Sequence, residues 1–310
     1  MCIRDRLGAL PARAGTAGGT PLALVTADLE ASVVAVDLGA GRLLRRIATP
    51  SDPRSIESVG VVGALVAHTA SGRLTLIDSK LRIHPIAGDL AAPRYTAVSP
   101  DRRFAYVTDS ERRELVVVEL AGRCVIGRIG LGGPARHLAI DRAGGRLWVA
   151  LGSKAARLAV VSLAEPRRPR LVGTLRSPFL AHDVGFTPGG RRVWVTSGEG
   201  DRLAVYEART GTLVRTIQAD APPQHVTFLG ERAFVTSGDD AVLRVHALDG
   251  RRLRSAAVPV GSYNVQRAWR WILSPSLSRG TLSVMSGNGA SLDELRVARS
   301  SHDACFVVGT

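Results

Sequence analysis

"RVWVTSGEGDRLAVYEARTG", residues 192–211, reads as an apolar strand, a polar turn, a second apolar strand and a Gly-bearing turn. "RAFVTSGDDAVLRVHALDG", residues 232–250, repeats that order. A module written twice invites a search for more copies, because a fixed period of roughly 20–50 residues marks solenoids, propellers and arrays. The search finds "LALVTAD" (22–28), "ALVAHTA" (64–70), "AYVTDSE" (105–111), "LWVALGS" (147–153), "VWVTSGE" (193–199), "AFVTSGD" (233–239) and "WILSPSL" (271–277). Their equivalent positions are Val25, Val66, Val107, Val149, Val195, Val235 and Leu273, at intervals of 41, 41, 42, 46, 40 and 38.

Each copy continues with a second apolar strand such as "ELVVVEL" or "RLAVYEA". A turn follows, often with Gly, and then an outward strand such as "TLVRTIQ". A short entry strand, "RYTAVSPD" or "HDVGFTPGG", opens the next copy. Four strands per unit, rich in Val, Ile and Leu and separated by Gly, Asp and Asn, satisfy β-propensity and turn chemistry together. One such sheet cannot bury both faces alone, whereas radial stacking covers each sheet with its neighbours. The expectation is an all-β, seven-bladed β-propeller of four-stranded blades. The copy that begins at Leu22 lacks an entry strand, and "HDACF" (302–306) matches the entry strand "HDVGF" (182–186). Residues 302–308 are therefore expected to complete the N-terminal blade from the C-terminal end of the chain. Residues 21–310 then form one domain.

The repeats "YVTDSERRELVVVEL", "WVTSGEGDRLAVYEARTGTLVRTI" and "AVSPDRRFAYVTD" resemble the YVTN-repeat β-propellers, also called YncE-like or surface-layer-type. The resemblance covers residues 21–308. The Asn of the family pattern is replaced by Ser197, Ser237, Asp109 or Ala27. It implies the propeller fold and an exported, extracytoplasmic bacterial or archaeal protein. Sugar lactonases and dehydrogenase subunits share this architecture, so fold alone does not assign function.

The 310 residues carry a formal net charge of +14, with 41 basic residues of which only Lys80 and Lys154 are lysines. Such a charge can attract nucleic acid or anionic surfaces. The arginines are spread along the chain rather than gathered in a run, as Arg-favouring codon usage also produces. No apolar run reaches the roughly 18 residues of a membrane helix. Cys2, Cys124 and Cys305 give no CxxC pair and no disulfide framework. The opening "MCIRDR" has no apolar h-region. Residues 1–20 read as a non-native start and a Gly/Ala/Pro-rich linker, with the native start and any export signal expected upstream.

Candidate site residues come from the register of the entry strands. Counting back from each repeat valine gives Tyr95, His137, His182 with Asp183, His225, Asn264 and, by ring closure, His302 with Asp303. Four of the seven histidines share this location. Imidazole and carboxylate around an axis suit a divalent metal, and protonated imidazoles suit an anionic small molecule. Alternatively, histidine is simply a recurrent strand-entry residue that packs against a neighbouring loop. A wide ring keeps the four histidines from sharing one ion, so His182 and His225, in consecutive blades, are the expected pair for any metal. His302 is expected to stand apart.

Other motifs offer less. "SGEGD" and "SGDDA" lack EF-hand spacing, "GEGDRL" and "GNGASL" fail the dinucleotide fingerprint, and neither GxSxG nor a P-loop occurs. Trp148 and Trp194 share a repeat slot and are expected between blades, while one of Trp269 and Trp271 is expected at the surface. The leading functional expectation is a non-catalytic, monomeric binding or scaffold propeller with no resident cofactor. Its ligand or partner would sit at the mouth of the central channel. A metal-assisted lactonase- or lyase-like enzyme using His and Asp is the first alternative. Nucleic-acid or anionic-surface binding is the second.

Overall fold

The computed structural model describes residues 19–60, 63–152 and 156–309. Residues 1–18, which hold most of the expected linker and Cys2, lie outside the described residues, as does Lys154. The described chain forms seven four-stranded antiparallel sheets. Blade 1 takes its inner strand from Ala304–Gly309, followed outward by Thr20–Ala27, Ser32–Asp37 and Arg42–Ala48. The inner strands of blades 2 to 7 are Pro53–Ser58, Pro93–Val98, Leu138–Ile140, Val184–Phe186, Val226–Leu229 and Gln266–Ala268. Ring closure occurs as the repeat predicts: Ala304, Cys305 and Phe306 pair with Val25, Leu24 and Ala23.

The sequence explains the layering. Second and third strands carry apolar residues on both faces and are buried almost throughout, as in Arg192–Thr196 and Arg202–Glu207. Both faces need cover because each blade lies between two others. Seven apolar clusters result, each shared by two adjacent blades. Trp148 lies between blades 4 and 5 against Tyr206, and Trp194 between blades 5 and 6 against Phe228. Trp271 is buried and Trp269 is 42% exposed. Outer strands are largely exposed, as in Arg42–Ala48 and Leu213–Gln218. In blades 1 and 3 to 7 the pairing of third and outer strands shifts register once, adding local twist. Cys124 lies in an outer strand and Cys305 in an inner one, both as free thiols.

Candidate functional site

The entry register places one side chain per blade around the axis: Asp303, Ser55, Tyr95, His137, Asp183, His225 and Asn264 in blades 1 to 7. The same groups line one end of an axial cavity of about 680 Å³. From there the cavity follows the inner strands to the face formed by the turns after them, where Pro100, Asp141, Arg142 and Pro188 line it. The entry residues of all seven blades thus meet around the axis at the end of the hollow nearest the strand starts.

Asp183 and Asp303 are held by backbone amides. Asp183 Oδ1 accepts the Val184 N–H at 2.8 Å and Oδ2 that of Val226, in the next blade, at 2.9 Å. Asp303 repeats this with Ala304 at 2.8 Å and with Ile56 of blade 2 at 3.0 Å. Each carboxylate thus ties its inner strand to the next one. Asn264 does similar work, its Nδ2 donating to the His302 carbonyl at 3.1 Å while its own carbonyl accepts from Ser274 Oγ at 2.8 Å.

Three histidines converge. The ring centroids lie 4.7 Å apart for His137 and His182, 4.4 Å for His137 and His225, and 5.2 Å for His182 and His225. One nitrogen from each can lie within 4.8 Å of the other two. The expected pair of His182 and His225 is thus a trio. The axis is narrower at this level than the sequence reading allows, and His137 from blade 4 reaches both. Tyr95 stacks on His137 with centroids 3.6 Å apart, and burial pushes its phenol up to about 12. His302 is buried outside the trio, against the Arg54 backbone.

The tautomers follow from the hydrogen bonds. His137 Nδ1–H donates to the His182 carbonyl at 2.6 Å, which leaves the lone pair on a buried Nε2 that has no partner. His225 Nδ1 lies 3.5 Å from Asp183 Oδ2. Burial, and then the neighbouring imidazoles and Arg136, hold His137 and His182 well below the usual histidine range, so both are neutral at pH 7. His182 fits beneath the turn after Thr196 because residue 198 is Gly: at φ +75°, a Cβ there would come within 2.7 Å of His182 Cβ.

Sequence reasoning misses two further groups. Arg54, Arg94 and Arg136 each precede a ring residue, so three consecutive blades carry an arginine at the same register. Burial, and then the charge of Arg136, lower Arg94. The Nε atoms of Arg94 and Arg136 are buried without an acceptor. The signal was available as an Arg recurring one position ahead of the counted register. The other group is Glu57, which lines the cavity and is pushed up to about 8 by burial and by the Asp303 charge. Burial likewise raises Asp303 to about 7. Elsewhere the exposed arginines are dispersed over outer strands, including Arg45, Arg170, Arg215 and Arg254. Among the described residues no helix is long and apolar enough to cross a membrane.

No curated protein matches the chain by sequence. Among solved structures, a functionally unknown protein from Desulfotomaculum acetoxidans superposes with a TM-score of 0.79 at 13% identity, over 93% of this chain and 99% of its own. The periplasmic gluconolactonase of Pseudomonas aeruginosa gives 0.74 at 18% identity, over 93% and 99%. Hydrazine synthase of Kuenenia stuttgartiensis gives 0.73 at 14%, over 85% and 91%. At such identities the likeness is one of fold. The sequence model of a single family matches residues 136–299, more than half of the 310 residues and spanning blades 4 to 7. By that match the chain belongs to the family of outer membrane protein assembly factor BamB.

Proposed function

We propose that this chain is an extracytoplasmic, non-catalytic propeller that binds an anionic ligand on its axis, at the strand-start face. One observation carries the reading: Arg94 and Arg136 hold the same register in adjacent blades, and each has a buried Nε lacking an acceptor. Clustered guanidinium groups repel one another, and an unpaired buried donor costs about 1–3 kcal/mol. A bound carboxylate or phosphate offsets both terms through charge-assisted hydrogen bonds. The family's description as an assembly factor supports an envelope location and a binding role. The repeat signatures suggest a YVTN-type member. Calorimetric titration of metal-free protein with inorganic phosphate, citrate and gluconate tests the reading. At least one is expected to bind, at least tenfold more weakly to the Arg94→Ala/Arg136→Ala double variant. No binding, or binding that survives the double substitution, overturns it.

A second reading is metal-assisted lactone hydrolysis, favoured by the imidazole cluster at the cavity wall and by the lactonase among the structural neighbours. Turnover of gluconolactone that disappears in His182→Ala would replace the binding role with this one.

A further inference from the structure

We propose that His137, His182 and His225 form a binding site for a late first-row divalent cation of the zinc, cobalt, nickel or copper class, with an exogenous anion completing its coordination.

Three observations converge on the site. Each histidine can offer one nitrogen within 4.8 Å of the other two, from three consecutive blades. The His137 Nε2 lone pair is buried, unpartnered and fixed in its tautomer by the Nδ1–H bond to the His182 carbonyl. An oxygen acceptor on the far ring nitrogen is the usual outer contact of a metal-ligating histidine. His225 has the same arrangement in looser form, its Nδ1 being 3.5 Å from Asp183 Oδ2.

The donor set selects the metal. All-imidazole sites suit zinc, copper, nickel and iron rather than calcium or magnesium, which prefer oxygen. Nitrogens at about 2.0–2.1 Å from a tetrahedral ion are about 3.3 Å apart, so separations of up to 4.8 Å must contract on binding. His182 is the half-buried member, and its ring can make that adjustment. Three protein ligands leave one position open, the pattern of reactive rather than purely structural zinc sites. His137 and His225 line the axial cavity, so a small molecule can approach from that side. Arg136 and Arg94 oppose a bare dication and Asp183 partly compensates. The balance favours an ion that carries its own anion, so metal and anion should strengthen each other's binding reciprocally.

The test uses the full chain stripped with chelator and titrated with Co²⁺ and Zn²⁺ alone. One ion per chain is expected, with a visible Co²⁺ band of tetrahedral or five-coordinate intensity. His182→Ala should weaken binding at least tenfold, and His302→Ala less than threefold. X-ray absorption on wild-type protein loaded with Zn²⁺ should count three imidazoles and needs no variant to fold. Absence of stoichiometric binding, two or fewer imidazoles, or equal losses in His182→Ala and His302→Ala would overturn the proposal. The arginine titration uses metal-free protein, so failure here and failure of the anion reading are separate results.

Discussion

The dipeptide His-Asp occurs at 182–183 in blade 5 and at 302–303 in blade 1, and the two copies share a backbone geometry. In each, the aspartate N–H donates to a threonine Oγ1 at 2.9 Å, Thr196 in one case and Thr26 in the other. In each, the carboxylate bridges to the inner strand of the following blade. Yet His182 joins two other imidazoles, while His302 lies against the Arg54 backbone. The blades on either side make the difference. Blade 5 sits between His137 and His225, and blade 1 between Asn264 and Ser55. In a ring of repeats, a residue's chemistry is set as much by the side chains that neighbouring copies bring to its level as by its own strand.

The largest effect expected from this comparison is on stability. Asp183→Ala and Asp303→Ala each strand two buried amide donors, and each should cost about 3 kcal/mol in denaturant unfolding. Losses of similar size confirm equivalent clamps; a much smaller loss for one would break the equivalence. Asp303→Asn should be milder than Asp183→Asn at pH 8, because it also relieves the repulsion between Asp303 and Glu57.

Glu57 gives the next effect, with a definite sign. Its folded-state value of about 8 lies above the ordinary carboxyl value of 4.5. Below pH 4 both folded and unfolded chains hold the proton, and Glu57 contributes no pH dependence. Between about pH 4.5 and 8 the folded chain keeps a proton that the unfolded chain releases, so wild-type stability falls as pH rises. Glu57→Gln should remove the Glu57 share of this slope and leave the share that Asp303, raised to about 7, contributes. After discounting for water in the cavity, the variant should gain about 1–2 kcal/mol at pH 9 and nothing at pH 4. A gain that persists at pH 4 would point to packing instead of charge.

Gly198→Ala should have the smallest effect on stability, about 1 kcal/mol for the left-handed backbone. Its more specific consequence is displacement of His182, read as weakened Co²⁺ binding. The equivalent position in blade 1 is Asp28, which already carries a Cβ and opens a short 3-10 helix, Asp28–Glu30. If Gly198→Ala leaves Co²⁺ binding intact, the turn does not hold the His182 ring.

The fold was legible because a period near forty is written in strand-forming residues, and because "HDACF" repeats "HDVGF" at the far end of the chain. The register gave Tyr95, His137, Asp183, His225, Asn264 and Asp303, which line the cavity, but not Ser55 or Glu57, which line it too. It could not give their distances. That His137 reaches both partners depends on the width of the ring at the entry level, which large side chains set collectively. The roles of Asp183 and Asp303 were hidden for a related reason: the amide donors they accept from belong to the next blade, and no local pattern in the sequence shows a contact between copies. Arg54, Arg94 and Arg136 stand at a constant offset from the register, but arginine recurs so often along this chain that three more do not stand out from it.

The innermost strand of the first blade comes from the opposite end of the domain, and Thr26 meets Asp303 across 277 positions of sequence. During synthesis the edge at Thr20–Ala27 therefore stays unpaired until all the other blades have been made. For that interval the nascent chain exposes a strand edge open to mispairing. A chaperone in whichever compartment it folds would have this edge to shield.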